Sequence, residues 1–356
     1  MGAVRLFLAL VVAADHWRVL VLDPRAIVVT QRLQFGVNAA QAVMFFYVIS
    51  GFLITYTLSM NYERSMQGAV LFYRNRFARI FSLYWPLVLV AFLAREHAWS
   101  DFMSSGPADQ FTGLFLLGID WRIAFAAYPE EHWQAAITGL HQSWTLGAEL
   151  VFYLAAPFLI RRWRISVAVL VASLATRAAF VAALGNDLHS IWTYLFFGST
   201  AGFFMLGHLV CLVARRWPRL ASPTIGLTLL GGALLLLEFG PHDGFDGARF
   251  WFATLFFTAS LPGLFAATKD IRAFNWLGDL SYPVYLVHNL SLAWFGYLIM
   301  SSIAPTPGTN GLGAIATILT FLVVTVIIGA ATHFLLERPI SRVMRGYART
   351  HLATAP

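Results

Sequence analysis

The feature that most restricts what this chain can fold into is a series of apolar runs, each close to the length of a bilayer crossing. They lie at about 3–20, 36–58, 80–95, 144–161, 165–184, 190–213, 220–239, 250–267, 280–300 and 312–336 of 356 residues. A helix rises about 1.5 Å per residue, so about 20 apolar residues cross the hydrocarbon core. Hydrophobic residues make up 59% of the chain and charged residues 12%, with a mean hydropathy of +0.69, which is far from soluble usage. The expected fold class is therefore all-α: a polytopic transmembrane helical bundle of about ten spans. A further run near 111–127 is interrupted by Asp120 and Arg122, and reads as re-entrant or interfacial.

Charge placement orients the bundle. The chain has 24 Lys and Arg, a single one of them Lys (Lys269). With the N-terminus inside, 17 of these residues fall in cytoplasmic segments, including Arg5, Arg74, Arg76, Arg79, the Arg161–Arg164 cluster, Arg272 and Arg338–Arg349. Six fall outside, and Arg177 lies within a span, facing either a cavity or a buried acid. The positive-inside rule then puts both termini in the cytoplasm. The expected layout is an integral-membrane domain over 1–340 and a short basic cytoplasmic tail over 341–356.

The outer connections, among them YPEEHWQAAITGLHQ, GPHDGFDGAR and APTPGTNG, are short, rich in Gly and Pro, and mildly acidic. They offer no large external domain, so any activity has to take place in or at the membrane. The lone Cys211 excludes internal disulfides, and no Cys/His cluster suggests a metal. A Gly-rich phosphate loop is absent, and the basic residues punctuate apolar spans instead of lining a soluble face, which argues against nucleic acid.

Within the first run, Arg5 and His16 are separated by ten residues, nearly all apolar. In a helix those eleven steps return to within roughly 20° of the starting direction and advance about 16 Å, half a hydrocarbon core. A cation at the membrane edge then shares a stripe with an imidazole near the midplane, while Asp15 points about 100° away. Ionisable groups at such depth are costly and usually face a cavity or a pathway. A signal peptide would also begin in this way, but here many further spans follow.

Other motifs place polar groups against apolar helix. Ser50-Gly51, in FFYVISGFLIT, permits close approach of a helix or a ligand. Arg76 and Arg79 are spaced i, i+3 at the inner surface, suited either to phosphate groups or to lipid headgroups. Glu149 lies one turn into an apolar span in WTLGAELVFY, where it can pair with an arginine or orient a histidine. In WLGDLSYPVYLVHN, Ser281, Tyr285 and His288 share a stripe flanked by Tyr282 and Asn289, which can line a cavity or join two helices.

In order and in spacing, these pieces resemble the acyltransferase family 3 membrane proteins, bacterial O-acyltransferases that modify glycans and other exported molecules. The resemblance rests on Arg5-(ten residues)-His16, FFYVISGFLIT at 45–55, YRNRFARIFSLYWP at 73–86, WTLGAELVFY at 144–153, WLGDLSYPVYLVHN at 276–289 and ERP at 337–339. Leu150 departs from it, since relatives often carry a further acid after the glutamate.

The resemblance implies transfer of an acyl group, acetyl as the leading case, from cytoplasmic acyl-CoA to a hydroxyl of a glycan or lipid-linked saccharide across the bacterial cytoplasmic (inner) membrane. Acyl-CoA is then a substrate, and no cofactor is permanently bound. His16 is the expected general base, since imidazole ordinarily titrates near neutral pH. Arg5, Glu149 and Tyr285 are expected beside it in the chemistry, with Tyr285, Ser50 or an arginine donating to the oxyanion. Arg76, Arg79, Ser50 and His288 are expected to contact the donor. The rival reading is a transporter or flippase of a lipid-linked glycan, which would show an inverted repeat; no convincing repeat is present.

Overall fold

The computed structural model describes residues 1–20, 34–94, 98–125, 138, 140–159, 162–185, 191–241, 246–302 and 311–352, and every regular element among them is helical. In chain order the helices are α1 (Gly2–Leu20), α2 (Ala39–Asn61), α3 (Met66–Ala94), α4 (Ala98–Ser104), α5 (Pro107–Phe115), α6 (Ile119–Phe125) and α7 (Trp144–Leu159). They continue with α8 (Trp163–Leu184), α9 (Phe197–Arg216), α10 (Pro223–Phe239), α11 (Ala248–Thr268), α12 (Arg272–Ser302), α13 (Gly311–Thr332) and α14 (Arg338–Leu352). Each of the ten apolar runs is mostly helical where it is described, with non-helical residues at 36–38, Phe196 and Ser222.

Among the described residues, six stretches are long and apolar enough to cross a membrane: α2, α3, α8, Ile191–Arg216, α11 and Ile315–Arg345. The other four runs are not among them. Helix α10 has 17 residues and α7 has 16. Helices α1 and α12 carry Arg5, Asp15 and His16, and Asp279, Ser281 and His288, within their apolar stretches.

Helix α8 shows which solvent these helices face. Its buried residues are Ser166, Ser173 and Arg177, while Ile165, Val167 and Val171 are exposed. This inverts the soluble pattern, as expected when the surroundings are lipid. Arg177 answers the question posed by its position: its Nε lies 2.6 Å from Oδ1 of Asp246, and it also donates to the carbonyl of Thr193.

Paired glycines let the central helices touch backbone to backbone. Where α2 crosses α9, a Cβ on Gly51 would meet the carbonyl oxygen of Phe204, and one on Gly207 that of Val48. Gly2 and Gly278 do the same for α1 and α12, and Gly226 and Gly263 for α10 and α11. Gly51 therefore serves helix packing. Asp15 is also accounted for: its Oδ2 accepts from the N–H of Ala39 at 3.2 Å, at the start of α2.

The 111–127 run breaks in the middle. Leu116 has φ +64° and Gly118 φ +76°, so α5 ends and α6 begins anew. Pieces of nine and seven residues are too short to cross the bilayer. The two charges that interrupt the run are both used, since Asp120 accepts from the N–H of Phe197 at the start of α9 and Arg122 pairs with Asp109. At the other end, α14 passes through residue 340 without a break. The connections around 128–137 and 304–310 lie outside the described residues.

Candidate active site

Helices α1, α2, α3, α7 and α12 surround a cavity of about 140 Å³. Six of the eight residues given a catalytic or donor-binding role in the sequence line it, namely Arg5, Ser50, Arg76, Arg79, Glu149 and Tyr285, and so do Ser281 and Tyr282 of the polar stripe. They come from five helices and span most of the chain, so only the bundle brings them together. Three arginines are among its lining residues, together with apolar side chains such as Val43, Leu53 and Leu146.

Glu149 is held by hydroxyls. Ser50 Oγ donates to its Oε1 at 2.5 Å, and the hydroxyl of Tyr153 donates to the same oxygen. Of the two roles open to it in the sequence, neither is the contact found, because its partners are these two hydroxyls. A carboxylate among three guanidinium groups offsets charge that would otherwise be unbalanced in a poorly hydrated space. Arg76 lies over the rings of Phe72 and Tyr153, 5.6 and 5.9 Å from their centroids, and Arg79 lies 5.3 Å from that of Tyr282. Such stacking fixes the planes of the guanidinium groups. Arg79 also forms an ion pair with Glu337, whose second oxygen sits 2.7 Å from His333 Nδ1.

His16 and His288 form a second group that adjoins the cavity without lining it. His288 is fully buried, and its Nδ1 lies 2.6 Å from the carbonyl oxygen of Tyr285. A carbonyl only accepts, so Nδ1 of His288 carries the hydrogen and its Nε2 holds the lone pair. That Nε2 lies 3.1 Å from Nδ1 of His16, which is also 3.0 Å from the carbonyl oxygen of Val12. Nδ1 of His16 is then the donor to both, leaving Nε2 of His16 as the basic nitrogen. The rings are stacked, with centroids 5.0 Å apart and planes 29° apart. His288, placed in the sequence with the donor contacts, thus stands behind His16.

Tyr285 joins the two groups. Its side chain lines the cavity, its carbonyl holds His288, and its hydroxyl meets Thr145 Oγ1 at 2.9 Å. A polar clasp reinforces this region: Gln142 Nε2 donates to the carbonyl of Leu286 at 2.6 Å, and Asn289 Nδ2 donates to Gln142 Oε1 at 2.7 Å. Gln142 and Thr145 were not singled out, though both sit in the HQSWT stretch beside Glu149. Tyr47 was missed too. It lines the cavity, is 3% exposed, and its hydroxyl has no hydrogen-bond partner among the described residues. A lone tyrosine in an aromatic span carries no signal that distinguishes it from packing.

Comparison with known proteins gives a consistent result. The family described as Acyltransferase domain, the acyltransferase 3 group, matches residues 1–333. Acyltransferase MdmB of Streptomyces mycarofaciens is 26% identical over 345 residues, covering 88% of this chain and 84% of the relative. The exopolysaccharide production protein ExoZ of Rhizobium meliloti is 26% identical over 328 residues, covering 88% of this chain and 92% of that protein. No solved structure matches.

Proposed function

The chain belongs to the acyltransferase 3 family and is a multi-pass membrane acyltransferase; from that premise we propose that it moves an acyl group, acetyl as the leading case, from cytoplasmic acyl-CoA to a hydroxyl of an exported glycan or lipid-linked saccharide. The carrying observation is the hydrogen-bonded pair of His16 and His288, which leaves a lone pair on His16 Nε2. The name of the relative ExoZ, an exopolysaccharide production protein, favours a saccharide acceptor.

The atoms balance as follows. His16 Nε2 takes the proton of the acceptor hydroxyl as its oxygen attacks the thioester carbon. Tyr47 or Tyr285 donates a hydrogen bond to the oxyanion. The C–S bond then breaks, the ester forms, and the departing sulfur takes the proton from His16. An acyl-histidine route would use the same nitrogen as nucleophile, with the acceptor displacing it in a second step.

In this reading about ten spans cross a bacterial inner membrane and both termini are cytoplasmic. That arrangement puts the arginines of the cavity on the side of the donor. The test is acyl transfer from radiolabelled acetyl-CoA to membrane glycans, comparing wild type with His16→Ala at matched expression. Loss of label in the variant is the expected result; label that survives would remove His16 from the mechanism.

A further inference from the structure

The chemistry above engages only the thioester end of the donor. Coenzyme A also carries an adenine, a pyrophosphate and a 3′-phosphate, which need a site of their own. A second cavity, of about 520 Å³, lies next to the first, within the range of small-molecule sites. Arg79 belongs to the walls of both. The rest of its wall comes from the start of α12, the turn His333–Glu337 and one face of α14.

Five arginines line it: Arg79, Arg272, Arg338, Arg342 and Arg345. Arg338, Arg342 and Arg345 recur at i, i+4 and i+7, so they project from one face of α14. The acids in the wall are Asp279 and Glu337. Glu337 is taken by Arg79 and His333, while Arg272, Arg338, Arg342 and Arg345 form no ion pair among the described residues. Five guanidinium groups against two carboxylates leave the cleft with an excess of positive charge that favours an anion. Planar forks of this kind match phosphate oxygens. The wall also presents the indole of Trp276, 48% exposed, a flat face on which a base can stack.

We propose that this cleft binds the phosphorylated nucleotide end of the acyl-CoA donor, with the arginines of α12 and α14 on its phosphates and Trp276 against its adenine. The slim pantetheine arm then passes Arg79 into the smaller cavity. This assignment rests on the acyl-CoA reading above. Nothing in the sequence singled out residues 338–345 for this role; they entered as topology signals and a tail.

The test uses the full chain purified in detergent, with Arg342→Ala/Arg345→Ala and Trp276→Ala beside wild type. Transfer is measured from acetyl-CoA and from acetyl-pantetheine, a thioester without the nucleotide. Binding of coenzyme A and of 3′-phospho-ADP is measured separately by calorimetry.

Each charge-assisted contact removed costs about tenfold or more in affinity. The double variant is therefore expected to bind both nucleotides about a hundredfold more weakly, and its preference for acetyl-CoA over acetyl-pantetheine falls by a similar factor. A misfolded variant would lose both donors together and keep the ratio. An unchanged ratio in a variant that still uses acetyl-pantetheine at the wild-type rate, or undiminished coenzyme A binding, overturns the proposal. So does coenzyme A binding that survives while co-purified phosphatidylglycerol is lost, which would make the cleft a headgroup site. If wild type binds coenzyme A through these arginines yet transfers nothing, the nucleotide site stands and the transfer reading falls.

Discussion

Nδ1 of His16 lies 3.1 Å from Nε2 of His288, although the two are separated by 272 positions in the chain. The carbonyl of Tyr285 fixes the hydrogen on the far nitrogen of His288, and this in turn fixes which nitrogen of His16 is basic. A base whose tautomer is set before substrate arrives needs no reorganisation during the reaction.

In the proposed mechanism His288 is a positioning residue. Replacing it with Ala is expected to lower kcat about 10- to 100-fold, by analogy with lost outer-shell partners of imidazole ligands. His16→Ala should cost more, about 100- to 10,000-fold. KM for the acyl donor should stay within about twofold in the His288 variant, since that residue is outside the cavity. Steady-state kinetics on purified protein check both numbers. A rise in KM without a fall in kcat would assign His288 to donor binding.

Glu149 supports the cavity in two separable ways. Glu149→Ala strands the hydroxyls of Ser50 and Tyr153 and leaves Arg5, Arg76 and Arg79 less balanced. A loss of about 1–3 kcal/mol of stability is expected for unsatisfied polar groups. Glu149→Gln keeps an acceptor for the hydroxyls and removes only the charge. It should retain most of the thermal stability in detergent while still losing activity. Equal stability losses in the two variants would show that the charge, and not the hydrogen bonds, holds this region.

The crossing of α2 and α9 depends on the absence of side chains. In Gly207→Leu the new atoms would land on the carbonyl of Val48, backbone that has no free rotamer to yield. Overpacking of this kind costs about 1–3 kcal/mol or more. A lower melting temperature in detergent is the expected outcome. Gly231→Leu, where a Cβ meets no atom within 4 Å, is the control and should melt close to wild type.

Topology has its own check. Reporter fusions after Arg219 and after Arg349 should read as cytoplasmic, and one after Ser105 as external. An external signal after Arg219 would change the number of crossings before that point.

The sequence by itself determined the chemical class of this chain and most of the candidate residues that meet at its cavity. A bilayer accepts only long apolar helices whose backbone is satisfied internally, so hydropathy alone located helices that the structure contains. The cost of placing Arg5, His16, Glu149 and His288 in apolar helix marked them as candidate functional residues without any alignment. Periodicity also put Arg5 and His16 on one stripe, because both belong to α1.

Only the tertiary structure decided what each group touches. Ser50 and Glu149 are 99 residues apart, Thr145 and Tyr285 are 140, and Arg79 and Glu337 are 258. No local rule relates positions so distant. Their meeting depends on how close the helices come, and that depends on glycine pairs such as Gly51 and Gly207. Partner choice followed from this geometry, so Glu149 met hydroxyls, His16 met His288, Arg177 met Asp246, and the arginines of α14 met those of α3 and α12 around one cleft.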